Sequence, residues 1–372
     1  MKKQKWMTWA AVALVSLGLH YAVLILSQIL IQGSFTFSGF IQMITDRLTE
    51  PGDAVRYLDI ARNGYVREGE NAINLVFYPL YPFLIRALSV LTGGRLALAG
   101  LILSQTCYAG ASVMLYELLL LDHDHQDAWW GVLMLALYPF SMFVMGVFSE
   151  GLFLLLSISC LYAIRKRQPL LTGVTGFLAA LCRLQGMLLI FPAVYEAVVR
   201  HAGKSREKWS WKETFVLLIP LGFCVYLAIN YHLHRNPFQF LIYERDDPWF
   251  QTSEWIGRNI ALQYSQGHQY EGLDWIIYYP QIILYFLALG TLFFGAVSKE
   301  KTMYLLYGGV YLGFTYLSGW MISGGRYMLG CVPLFLILAG IRKTWIKHML
   351  LLLSGVIGFG YALLYYMGFS IM

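Results

Sequence analysis

The sequence predicts an all-α polytopic membrane protein of about eleven transmembrane helices, with interfacial helices in two long outer loops. Of its 372 residues, 58% are hydrophobic and only 13% charged. The mean hydropathy is +0.58, which is more apolar surface than a soluble domain requires. The apolar residues gather into long runs, as a helix needs to cross ~30 Å of hydrocarbon with roughly 20 residues. Basic clusters separate the runs in the pattern that orients membrane proteins.

The first run, 7–31, follows the basic start M-K-K-Q-K and looks like a signal peptide. It is too long for an h-region and no small-residue cleavage site follows, so it reads as a retained first span. Further runs lie near 95–121, 128–147, 149–164, 169–183, 185–199, 213–233, 276–297, 302–321, 326–341 and 346–369. The pair 169–183 and 185–199 is short for two full spans and also reads as a tilted hairpin. With the amino terminus inside, the clusters Arg165–Arg167, Arg200–Lys212, Lys299–Lys301 and Arg342–Lys347 all fall in the cytoplasm. The carboxyl terminus then lies outside.

This topology sorts the basic residues by type. All eleven lysines fall inside, whereas the eleven positive residues outside are all arginines. Guanidinium groups make planar, bidentate contacts to phosphate that an ammonium cannot. Each arginine has a plainer use in pairing with an outer carboxylate. For the set, at least two are expected to meet a phosphate.

The outer loops 33–94 and 234–275 are too long to be simple connectors. In the first, Tyr78 to Ser89 is apolar but interrupted by Pro79 and Pro82, and it predicts an interfacial helix with tyrosine anchors. The second mixes Trp249, Phe250, Trp255, Tyr264 and Tyr270 with charges, again an interfacial composition. With no internal repeat or linker, residues 1–372 read as one domain. The five cysteines all lie in apolar segments without C-x-x-C spacing, which predicts buried packing rather than disulfides or a metal cluster. The net charge of +6 flanks the spans, so nucleic-acid binding is not expected.

The first loop carries D-A-V-R-Y-L-D-I-A-R-N-G-Y, Asp53 to Tyr65. As a helix over 53–62, its Asp53, Arg56, Tyr57 and Ile60 share one face, and Asp59 points elsewhere. Gly64 would end it as a left-handed cap. Pro51 and Gly52 put Asp53 in the first turn, where unpaired N–H groups and the helix dipole favour a carboxylate. Two roles are open to Asp53: general base, or N-terminal cap paired with Arg56.

The residues Asp53, Tyr57, Leu58, Ile60, Ala61, Gly64 and Tyr65, followed by Phe77 to Pro82, resemble the first outer loop of PIG-V-like (GPI mannosyltransferase 2-like) mannosyltransferases. These belong to the polytopic C-type glycosyltransferases. The chain departs from the family pattern at Gly52, where the family usually has Trp. Four further segments match in order: Tyr138–Phe153, Cys182–Gly186, Asn236–Trp255 and Ser323–Pro333.

The resemblance implies a C-type architecture and a mannose donor linked to polyprenyl phosphate. It also implies an inverting displacement on the non-cytoplasmic face. Such a transfer needs one carboxylate to take the acceptor's proton and donors to receive the leaving phosphate. Asp53 is the expected base, with Asp59 its rival. Arg183 and Arg326, at outer span ends, are the expected phosphate ligands. Glu150 is expected to bind sugar hydroxyls or to hold Arg183, and Arg56, Tyr57, Tyr78 and Tyr327 complete the substrate-binding set. The acceptor is a glycan, lipid or protein that the sequence does not name.

No metal is expected at the site and no cofactor is required. Asp246-Asp247-Pro248 reads as a loop cap, with weak divalent-cation binding as the alternative. Asp122–His125 reads as a solvated turn. His232 and His234, two apart at a span end, suit a phosphate contact better than zinc. The alternative function is a secondary transporter or lipid flippase, which would place ionisable residues at mid-membrane in repeated halves. An intramembrane hydrolase finds no nucleophile motif.

Overall fold

The computed structural model describes residues 2–50, 52–202, 210–269, 275–319 and 322–371. Pro51, Tyr270 and part of the Arg200–Lys212 cluster lie outside them. The protein is 79% helical. Among the described residues the only extended pairing is a single bridge between Ser253 and Ser318. The chain forms two compact units interleaved along the sequence. One comprises Met1–Arg62, Leu84–Leu155 and Phe335–Met372; the other comprises Asn63–Phe83 and Leu156–Leu334.

In the first unit, helix Lys2–Gln32 packs on Leu96–Leu119 and on Thr344–Met367. Polar pairs pin this apolar contact. Trp9 Nε1 donates to Glu117 at 2.7 Å, Tyr21 Oη donates to Gln105 at 2.6 Å, and His20 Nε2 meets Tyr108 Oη at 3.2 Å. Helix His125–Ala136 starts where Asp124 accepts from the Asp127 N–H at 2.9 Å, a standard N-cap. Lys347 donates to Asp127 in turn. The Asp122–His125 segment therefore ends in a helix N-cap, and the helix it leads into is tied to the last helix through Asp127.

The second unit is built on a close glycine-lined pair, Pro169–Cys182 against Trp211–His234. A Cβ on Gly173 would fall 2.1 Å from the Phe215 carbonyl oxygen, and one on Gly222 2.3 Å from that of Phe177. Small residues at such spacing let helix backbones approach, as in membrane helix pairs generally. Helix Trp275–Val297 packs on Ile256–Gln269 and Thr302–Thr315.

Among the described residues, five helices are long and apolar enough to cross a membrane: Gln4–Gln32, Leu96–Leu119, Trp211–His234, Trp275–Val297 and Thr344–Met367. Counting Glu70–Val76 with Leu80–Thr92 as one bent span makes six. The sequence predicted about eleven. Of the other runs, 128–147, 149–164, 169–183, 185–199, 302–321 and 326–341 contain helices of only 12, 16, 14, 13, 14 and 8 residues. Backbone breaks inside apolar sequence shorten them. The run 128–147 stops being helical at Ala136, just before Pro139, and continues as a 3₁₀ turn over Ser141–Val144. The apolar residues of Glu150–Arg165 are mostly buried in protein rather than offered to lipid.

Both long loops fold into helices. The first contains Phe37–Ile44, Asp53–Asn63 and Leu80–Ser89, and the second Gln239–Arg245 and Ile256–Gln269. Four cysteines are buried and all five are free thiols, but Cys224 is exposed. That corrects the expectation of uniform burial, because the outer face of a span is apolar without being covered by protein.

Candidate active site

Helix Asp53–Asn63 forms as the motif predicts, and Gly64 ends it at φ +74°. Gly52, before it, also takes a positive φ of +57°, a conformation that a tryptophan there would adopt only under strain. Tyr57, Ala54, Ile60 and Ala61 form its buried face, while Asp53, Arg56 and Asp59 are half-buried. Tyr57 Oη lies 3.0 Å from Ser149 Oγ. This bond fixes the motif helix against the segment Tyr138–Phe153, whose Glu150 is 3% exposed and begins helix Glu150–Arg165.

That segment is itself tightly held. The Val147 N–H donates to the Leu48 carbonyl at 2.8 Å. Ser104 Oγ donates to Phe148 at 3.1 Å, and Gln105 Nε2 donates to Met145 at 3.1 Å. Gly151 admits no side chain, since a Cβ there would sit 2.5 Å from the Ser104 carbonyl oxygen. The S-E-G part of the motif thus places a carboxylate at a helix N-terminus, where the helix dipole favours negative charge. Asp53, Arg56, Tyr57 and Glu150 all belong to the first unit.

Tyr78, Arg183, Arg326 and Tyr327 belong to the second unit. Arg183 is the C-cap of Pro169–Cys182, in extended conformation, and the predicted hairpin breaks there into the 3₁₀ turn Leu184–Leu189. Gly186 lets the chain fold back, because a Cβ would lie 2.2 Å from the Ala179 carbonyl group. The Arg183 guanidinium lies 5.2 Å from the Tyr327 ring centroid, within cation–π range.

Arg326 is 3% exposed and sits in the short helix Gly324–Met328. Gln281, one residue after the helical Pro280, holds this turn from both sides. It accepts from the Gly325 N–H and donates to the Ile322 carbonyl at 3.2 Å. Tyr311 Oη donates to the Tyr327 carbonyl at 2.9 Å. Sequence reading missed Gln281, which looks like one polar residue in an apolar run.

Tyr78 stacks on Tyr226 with centroids 4.1 Å apart. Around it are Phe240 and, within electrostatic reach, Glu244. Glu244 was also missed, because in Y-E-R-D-D-P it is one charge among several. At Asp246 the backbone makes the turn, its carbonyl accepting from the N–H groups of Trp249 and Phe250 at 3.0 and 3.1 Å. Among the described residues, no three His, Cys, Asp or Glu side chains are grouped to hold a metal ion.

The mannosyltransferase (PIG-V) family model matches residues 19–230, a stretch that includes the motif helix, Glu150 and Arg183. GPI mannosyltransferase 2 of Drosophila pseudoobscura pseudoobscura is 25% identical over 204 residues, 50% of this chain. The match spans only 44% of that relative's length. The crystal structure of the Archaeoglobus fulgidus oligosaccharyltransferase in complex with Zn and sulfate aligns with a TM-score of 0.53 at 12% identity. It covers 94% of this chain and 53% of that one, a likeness of fold. With the motif helix, the S-E-G turn and Arg183 all inside the matched stretch, the chain belongs to the mannosyltransferase (PIG-V) family.

Proposed function

We propose that the protein is an inverting glycosyltransferase that moves mannose from a polyprenyl-phosphate donor to an acceptor hydroxyl on the extracytoplasmic face. The observation that carries this reading is Asp53 in the first turn of a helix anchored through Tyr57 to the Ser149–Glu150 turn. A half-exposed carboxylate on a rigid support suits a general base. Family membership supports mannose as the sugar, and the relative's name supports a glycan-bearing acceptor.

In this reading Asp53 takes the acceptor's proton as its oxygen attacks C1, and the C1–O bond to phosphate breaks on the opposite face. The charge developing on the leaving phosphate is met by guanidinium donors set in advance. Within the second unit, Arg183 and Arg326, the latter held by the Gln281-braced turn, are the guanidinium groups suited to a phosphate. Glu150 binds sugar hydroxyls beside the motif helix. The reaction needs no metal in this scheme, and the amino terminus lies in the cytoplasm.

The test is to incubate purified protein with a panel of polyprenyl-phosphate sugars, with and without chelator, and to measure free polyprenyl phosphate. The expected result is release from the mannose donor that survives chelation and vanishes in Asp53→Asn. Turnover of nucleotide sugars with none of the lipid-linked donors would overturn the donor assignment.

A further inference from the structure

The transfer step above leaves a groove of the second unit unused. It has a volume of about 400 Å³ and is lined by Tyr65, Val225, Ala228, Ile229, His232 and Leu233. All but Tyr65 lie near the end of helix Trp211–His234, along about 12 Å at 1.5 Å per residue. Tyr226 and Asn230 of the same stretch are fully buried, whereas Val225 and Ala228 are exposed. The groove therefore opens outward from a helix long and apolar enough to cross a membrane. Tyr65 supplies the remaining wall and is held there, its hydroxyl donating to the Phe77 carbonyl at 2.6 Å.

Cations stand where this helix ends. Arg67, exposed, donates to the His232 carbonyl at 3.4 Å. Arg235 is the C-cap, at φ +56°, with its guanidinium 5.7 Å from the Tyr231 ring centroid. Among the described residues, neither guanidinium is paired with a carboxylate. The last carbonyls of a helix repel an anion, and Arg67 covers one of them. Arginines at the boundary between apolar and polar surface attract lipid phosphates, to which they make charge-assisted, bidentate contacts.

An apolar trough with cations at its end complements a molecule that joins a hydrocarbon chain to a phosphate. A free phosphate ion offers nothing to Val225 and Ile229, and an uncharged lipid leaves Arg67 without an anion. Neither Arg183 nor Arg326 lines the groove, which favours a lipid of the bilayer over the sugar donor. We infer that this groove seats one anionic phospholipid, with an acyl chain against Val225, Ala228 and Ile229 and the phosphate at Arg67 and His232. The inference does not rest on the transfer reaction proposed above.

The test titrates the full chain in detergent with phosphatidylglycerol and follows bound lipid by native mass spectrometry. The wild type is expected to retain one lipid tightly. Ala228→Trp fills the groove from an exposed position, and Arg67→Gln removes a charge at its end. Each is expected to weaken lipid binding roughly tenfold, with the melting temperature reporting that the fold survives. Should Arg67→Gln loosen the helix end by uncovering the His232 carbonyl, Ala228→Trp decides alone. Arg258→Gln is the control for net charge, because Arg258 pairs with Glu254 at 3.4 Å and does not line the groove; it should leave binding intact. Binding unchanged in Ala228→Trp, or lowered equally in Arg258→Gln, overturns the site. Polyprenyl phosphate that displaces phosphatidylglycerol from the wild type, and is itself lost in Ala228→Trp, overturns the phospholipid assignment in favour of the donor.

Discussion

The two polar loops each present a carboxylate on a helix, but at opposite ends. Asp53 opens Asp53–Asn63, where a helix leaves its first N–H groups without intrahelical partners. Glu244 lies in the last turn of Gln239–Arg245, where a helix offers carbonyl oxygens, and burial drives its carboxyl up to about 7. One environment welcomes a negative charge and the other resists it. The same functional group thus meets two opposite environments, and the proposed base is the one at Asp53.

The contrast breaks most directly at Asp53. Asp53→Asn should lower transfer by about 10³-fold or more, with unaltered melting, whereas Glu244→Gln should leave kcat within a few-fold. Equal losses in kcat for the two variants would erase the distinction between the two carboxylates. On the other loop, Asn230→Ala removes the clamp on Phe240 and leaves a buried N–H without a partner. It should cost about 3 kcal/mol of stability, read by thermal unfolding in nanodiscs.

The charge contrast also predicts a stability profile. The folded protein holds the Glu244 proton more tightly than the unfolded chain, at about 7 against the 4.5 of a free glutamate. Glu244's contribution is therefore full below about 4.5 and is lost as pH rises toward 7. After allowance for its remaining exposure, the loss is about 2 kcal/mol. Glu244→Gln should abolish that slope and melt higher than wild type at pH 8. The smallest effect is expected at Tyr57→Phe, which removes the bond to Ser149. It should cost about 1 kcal/mol and lower transfer several-fold by loosening the motif helix.

The motif helix, its Gly64 cap and the helix that became Leu80–Ser89 were legible because local signals fix them: spacing, a glycine at positive φ and prolines at a helix start. Gly186 was legible as a motif letter, but its reason, backbone contact with Ala179, is tertiary. Span number is not fixed by apolar sequence, which lipid and protein interior demand equally; at Glu150–Arg165 most of the apolar residues are buried in protein. Cys224 shows the converse error. Glu244 and Gln281 were invisible because burial and partner identity, not residue type, single them out.

The glycine-lined pairing of Pro169–Cys182 with Trp211–His234 has a consequence for biogenesis. At 14 residues, the earlier helix is too short to remain in a bilayer alone. The helix that covers it is completed about fifty residues later, roughly 3–10 s at ordinary rates of synthesis. Until then the ribosome-bound chain must shelter the short segment in the insertion machinery, so the two should leave it together as a preassembled unit.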